Sequence, residues 1–126
     1  MKSIYLQPKV DELTRLNNFI YEELSITQYD ILLIFEEIFV NIINYSECKN
    51  IKILFELKDE KLKMIFIDDG KKFNPLLKED HDLPESIEDA NISGLGIHFV
   101  KNLANEITYD FIDNENHLTV IKNVEE

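Results

Sequence analysis

Three short stretches carry side chains whose types and spacing could do chemistry. In "EEIFVNIINY", residues 36–45, Glu37 and Asn41 stand four apart. A helix would set that carboxylate and that amide on one face, a turn apart. A polar line on an otherwise apolar helix could face a liganded cavity. Asp30 and Asn44 extend the line, giving a polar stripe at i, i+7, i+11 and i+14. In "FIDDGKKFNP", residues 66–75, Asp68 ends an apolar alternation and Gly70 follows two residues later. A carboxylate there can accept a hydrogen bond from a ligand amine, and glycine lets the backbone pass close by. In "ISGLGIHFVKNL", residues 92–103, Gly94 and Gly96 precede an apolar periodic run. The free N–H groups of a helix start could meet phosphate oxygens at that point.

Each stretch has a plainer reading. The stripe is also what the solvent face of an amphipathic helix looks like. "DDG" is a common turn, and G-x-G often does no more than start a helix. Against the solvent-face reading, asparagine is a poor helix former. A stripe so narrow would also leave Ile34, Ile38 and Val40 near water.

The elements that must hold these residues follow from periodicity. Residues 2–7 form a short strand that ends at Pro8, and 10–24 an amphipathic helix with Val10, Leu13, Leu16, Ile20 and Leu24 at helical spacing. A second helix is expected from an N-cap at Thr27 to about Ser46. Residues 50–58 and 61–68 read as a hairpin around Asp59-Glu60, with Leu62, Met64, Phe66 and Asp68 on one side of the strand. Residues 69–93 form a long polar loop, and a third helix is expected to begin near Gly96 and run to about Ala104. Residues 106–112 and 117–123 close the chain as a hairpin around Asp113-Asn114. Strands joined by tight turns, with helices between pairs, predict an α+β two-layer sandwich: a largely antiparallel sheet with helices on one face.

The whole chain narrows the function classes. Its 126 residues are read as one domain, 1–126, with no internal repeat. The formal net charge of −12 argues against nucleic acid as a partner. It also makes a phosphate-bearing ligand depend on backbone N–H groups or a cation. Cys48 is the sole cysteine and the longest apolar run is Ile31 to Phe35, so a cytoplasmic protein with no membrane partner is expected. His81, His98, His117 and Cys48 show no metal-ligand spacing, and no Walker A loop or nucleophile elbow is present.

Taken in order, "EIFVN", "DDGKKFNP" and "GLGIHFVKNLANEITY" resemble the N, G1 and G2 boxes of the GHKL (Bergerat-type) ATP-binding fold. Within it, the chain is most similar to the small RsbW-like anti-sigma regulatory factors with serine-protein kinase activity. The resemblance implies ATP and Mg²⁺ as cofactors, with Asn41 on the metal and Glu37 as the catalytic group that orients or deprotonates a serine hydroxyl. It implies that Asp68 accepts from the adenine amino group. Asn41, Asn44, Gly70, Phe73, Gly94, Leu95, Gly96, Ile97 and Thr119 complete the nucleotide contacts, with Leu76 to Ser93 as a lid. Arg15 falls where similar proteins carry an arginine used in phosphate or partner contacts. The implied function is phosphorylation of a serine or threonine on a STAS-domain anti-sigma antagonist, with a sigma factor or other regulator as a further partner and a homodimer left open. The alternative is a non-catalytic, nucleotide-gated binding module. A detached catalytic domain of a sensor histidine kinase is a third reading, although Lys72 stands where D-x-G-x-G would carry its second glycine.

Overall fold

The structure, a computed structural model, describes residues 1–25, 28–77 and 92–124. Strand β1 (Lys2–Leu6) leads through a single 3₁₀ turn (Val10–Glu12) into helix α1 (Leu13–Leu24) and then α2 (Tyr29–Tyr45). Strands β2 (Ile51–Lys58) and β3 (Lys61–Asp68) form a hairpin. A 3₁₀ turn (Pro75–Leu77), helix α3 (Ile92–Leu103) and the hairpin of β4 (Glu106–Ile112) and β5 (Glu115–Asn123) complete the order.

The five strands make one antiparallel sheet in the order β1-β2-β3-β5-β4. The α+β sandwich expected from the sequence is the fold observed. Both hairpins turn on pairs with positive φ, Asp59-Glu60 (54° and 63°) and Asp113-Asn114 (53° and 63°). Two consecutive left-handed residues match the right-handed twist of the flanking strands.

Alternation along the strands decides which side chains meet the helices. The register sets Ile4, Ile53, Phe66 and Leu118 side by side across four strands, and all four are buried. Against this surface α2 lays Ile31, Ile34, Phe35, Ile38 and Phe39, each 0–1% exposed. Phe35 meets the edge of Phe55 at 5.5 Å between ring centroids, and Phe19 from α1 meets it at 5.6 Å. Such pairs add about 0.5–1.5 kcal/mol beyond the area they bury. Ile34, Ile38 and Val40 are all buried, so the flanks of the polar stripe are not in water.

Several boundaries differ from expectation: α1 starts at Leu13 after the 3₁₀ turn and not at residue 10, and β5 starts at Glu115 and not at 117. The N-cap of α2 is Gln28, with extended backbone (φ −66°, ψ 121°), and Thr27 lies outside the described residues. Helix α3 begins at Ile92, four residues before the expected start near Gly96. Gly94 and Gly96 are therefore inside the helix, not ahead of it. Packing against α2 explains this: a Cβ at Gly96 would overlap Glu37 Oε2 and lie 3.2 Å from Glu37 Cβ, so glycine permits the close approach. The segment 78–91, the greater part of the expected lid, lies outside the described residues.

Candidate functional site

The two adjacent aspartates after β3 have separate tasks. Asp69 turns outward and ties the start of β2 to the end of β3: its Oδ1 accepts from the backbone N–H groups of Lys49 (2.8 Å) and Asn50 (2.9 Å), and its Oδ2 accepts from Asn50 Nδ2 (2.9 Å). Burial opposes ionisation there, but these donors win and hold its carboxyl below the ordinary value. Asp68 points inward, 3% exposed, in line with Leu62, Met64 and Phe66 as alternation requires. Its Oδ1 accepts from Gly70 N–H (3.0 Å) and Asn116 Nδ2 (2.9 Å). Burial pushes its pKa up, and these two donors together with the nearby Ser46 hydroxyl only partly offset that.

Asp68 floors a narrow slot between α2 and the sheet. Asn41, Phe73, Tyr109 and Asn116 line its walls, and the free volume is about 20 Å³, room for a single water at most. Phe73 is stacked on Tyr45 at the end of α2, with centroids 5.3 Å apart and planes 18° from parallel. Gly70 sits where a Cβ would overlap the Ser46 carbonyl oxygen and come 2.8 Å from Ser46 Oγ, so the turn after β3 fits against α2 only as glycine. Lys71 N–H donates to that same carbonyl (2.8 Å).

One turn before Asn41, Glu37 is half-buried against α3. Burial raises its pKa first, and the neighbouring Glu36 charge raises it further. Among the described residues Glu37 Oε2 and Asn41 Nδ2 are buried with no hydrogen-bond partner. Unpaired buried polar atoms cost about 1–3 kcal/mol each, so two of them one helical turn apart mark a place built for something else to bind.

The sequence-derived residues do not all converge. Asn41, Asp68 and Phe73 line the slot, with Gly70 beneath it. Glu37, Gly96 and the buried Ile97 form the adjoining α2–α3 contact. Gly94 and Leu95 fall in the first turn of α3. Asn44 is exposed and lies outside the slot lining. Thr119 is on the opposite face of the sheet, because its neighbours Leu118 and Val120 take the inward positions of β5. The stripe on α2 also divides: Asp30 pairs with Lys122 of β5 at 3.4 Å, away from the slot. Arg15 is remote as well. Its Nη2 donates to the Tyr5 carbonyl (2.6 Å) and to Glu12 Oε2 (2.8 Å), which caps a backbone acceptor on edge strand β1.

Two residues of the slot were not anticipated, Tyr109 and Asn116. The signal for Asn116 was β5 alternation carried two residues further back: with Leu118 and Val120 inward, position 116 is inward too, and an inward asparagine requires partners.

The site is thus a polar slot between a central helix and the sheet of a two-layer sandwich, floored by a buried aspartate. Residues 11–122 match the histidine kinase-like ATPase domain, and the chain belongs to that family. Among solved structures the chain resembles the Acinetobacter baumannii histidine kinase AdeS, with a TM-score of 0.55 and 14% identity, over 100% of this chain and 69% of that one. At that identity the likeness is one of fold. No curated protein matches the sequence. Membership implies ATP binding. The slot's chemistry suits that group, though not yet its size: an acceptor floor at Asp68, an aromatic wall at Phe73, and at Asn41 an unpaired Nδ2 able to donate to a phosphate oxygen. No cluster of three or more metal-ligating side chains occurs among the described residues. Among the described residues no helix is long and apolar enough to cross a membrane.

Proposed function

We propose that the chain binds ATP with Mg²⁺ and phosphorylates a serine or threonine of a STAS-domain anti-sigma antagonist, as RsbW-like regulators do. The observation that carries this reading is the pair on α2: Glu37, half-buried with a raised pKa, one turn from the buried Asn41. Asn41 would hold the cation through its amide oxygen. Glu37 would take the proton of the attacking hydroxyl, and a carboxylate raised by burial is a better base than an exposed one. Asp68 would accept from the purine amino group. Bound Mg²⁺-ATP supplies the phosphoryl group and its charge neutralisation. The direct test incubates the chain with Mg²⁺, γ-labelled ATP and a STAS-domain protein. Label on the STAS protein that disappears with Glu37→Ala supports the reading.

One observation favours a second reading. Glu37 Oε2 is covered by α3 at Gly96, and the slot is too small for a purine, so α3 must uncover Glu37 and the Phe73 ring must swing aside before a ligand is held. A nucleotide that moves α3 would remodel the surface offered to a partner, with or without phosphoryl transfer. In this reading the domain is a nucleotide-gated binding module for a sigma factor or other regulator. Nucleotide-dependent capture without label transfer separates it from the kinase.

A further inference from the structure

Asp68 and Asn116 are direct partners in the β3–β5 register, both inward and both nearly fully buried. The Asn116 carboxamide uses every hydrogen-bonding position it has. Its Nδ2 donates to Asp68 Oδ1 (2.9 Å) and to the Lys71 carbonyl (2.8 Å). Its Oδ1 accepts from Phe73 N–H (3.0 Å) and from the Tyr109 hydroxyl. Two of the four partners are backbone groups with fixed roles, since a carbonyl can only accept and an N–H can only donate. The orientation of the amide is thereby settled by chemistry. Burial pushes the Tyr109 phenol up, so it stays protonated and donating.

Both donors that reach Asp68, Asn116 Nδ2 and Gly70 N–H, converge on Oδ1. The Ser46 hydroxyl lies near enough to favour the charged carboxylate but makes no hydrogen bond of good geometry, so Oδ2 is the acceptor offered to the slot. The same carboxamide holds Phe73, whose ring stands against Tyr45 as one wall. Asn116 thus ties the floor of the slot to its wall, and Tyr109 ties both to strand β4.

We propose that Asn116, seated by Tyr109, is the positioning residue that makes the slot select a 6-aminopurine over a 6-oxopurine, by fixing the Asp68 carboxylate with one oxygen occupied and the other presented. The proposal rests on the ATP reading above. A 6-amino group donates to Asp68 Oδ2. A 6-oxo group sets an acceptor against a carboxylate that cannot turn away, because Asn116 and Gly70 hold its other oxygen. Without Asn116 the carboxylate is free to rotate and the discrimination weakens. Loss of packing alone would lower affinity for both purines alike.

The test measures dissociation constants for Mg²⁺-ATP and Mg²⁺-ITP, which differ at the purine 6 position, by calorimetry on the 126-residue chain. Wild type is expected to favour ATP by roughly ten- to hundredfold, the range for one charge-assisted hydrogen bond. Asn116→Ala should bring that ratio toward one. Tyr109→Phe, which keeps the ring and removes only the hydroxyl, should reduce it in the same direction, and carries the test if Asn116→Ala fails to fold. An unchanged ATP/ITP ratio in the folded variants overturns the assignment, as does a wild type that binds the two equally. Failure of wild type to bind either nucleotide removes the ATP reading itself, a different result from a flat ratio.

Discussion

Glu37 Oε2 lies directly over the Cα of Gly96, and no hydrogen bond reaches it from the described residues. One helix thus shields the carboxylate of another, and the shielding raises its pKa. The contact also makes the two glycines near the site unequal under substitution. At Gly96 an added methyl meets the mobile end of a side chain, with Cδ at 3.1 Å, whereas at Gly70 it meets the Ser46 backbone. Gly96→Ala gains about 1 kcal/mol of helix propensity, which offsets part of the crowding. Gly70→Ala has no such gain and should cost about 1–3 kcal/mol. Urea midpoints should therefore fall further for Gly70→Ala. Phosphoryl transfer should fall in Gly96→Ala because Glu37 is pushed aside.

Glu37→Ala should separate chemistry from binding. A general base acts in the transition state, so transfer should drop about 10²–10⁴-fold while ATP affinity stays near wild type. An equal loss in both would make Glu37 a binding group and not a base.

Asp68→Asn should weaken ATP and stabilise the fold. The lost charge-assisted bond corresponds to roughly ten- to hundredfold in affinity. For stability the sign follows from the raised pKa. A carboxyl with folded pKa above its ordinary 3.8 supports the fold fully below the unfolded pKa, and that support is lost as pH rises through the folded pKa. At neutral pH the buried carboxylate therefore weighs against folding, and the neutral amide should raise Tm without ligand. A Tm lower than wild type at pH 7 would show that the charge is better compensated than its burial suggests.

ATP should raise Tm more in Mg²⁺ than in EDTA. In the proposed reading Asn41 supplies one oxygen, the chain carries net charge −12, and no cationic side chain among the described residues lines the slot. Matching shifts in the two buffers would take the cation away from Asn41.

Arg15→Met should leave ATP affinity unchanged and cost no more than about 1 kcal/mol, since its partner Glu12 is an i, i+3 neighbour near the surface. The Arg15 hydrogen bond holds the Glu12 carboxyl down at about 2. That pair's contribution is present above the ordinary carboxyl value of 4.5 and fades as pH falls toward 2. A tenfold loss of ATP binding would return Arg15 to the site.

Much of the fold was legible because local patterns carried it. Alternation with turn pairs located both hairpins, and helical spacing located all three helices. The inward aim of Asp68 followed from its sharing parity with Leu62, Met64 and Phe66. Thr119 was placed by resemblance and not by parity, and β5 puts Leu118 and Val120 inward and turns Thr119 away.

What the sequence determined by itself was the set of elements, the i, i+4 placement of Glu37 and Asn41, and the inward carboxylate of Asp68, all fixed by bonds within one helix or one strand. Tertiary structure alone decided the rest. The β3–β5 register set Asn116 opposite Asp68, a pairing between residues 48 apart in the chain. The approach of α3 to α2 extended a helix back through Gly94 and Gly96 and covered Glu37. Lys122 drew Asp30 out of the polar stripe. Register and helix approach are set by the packing of the whole core, and no window along the chain contains both members of these pairs.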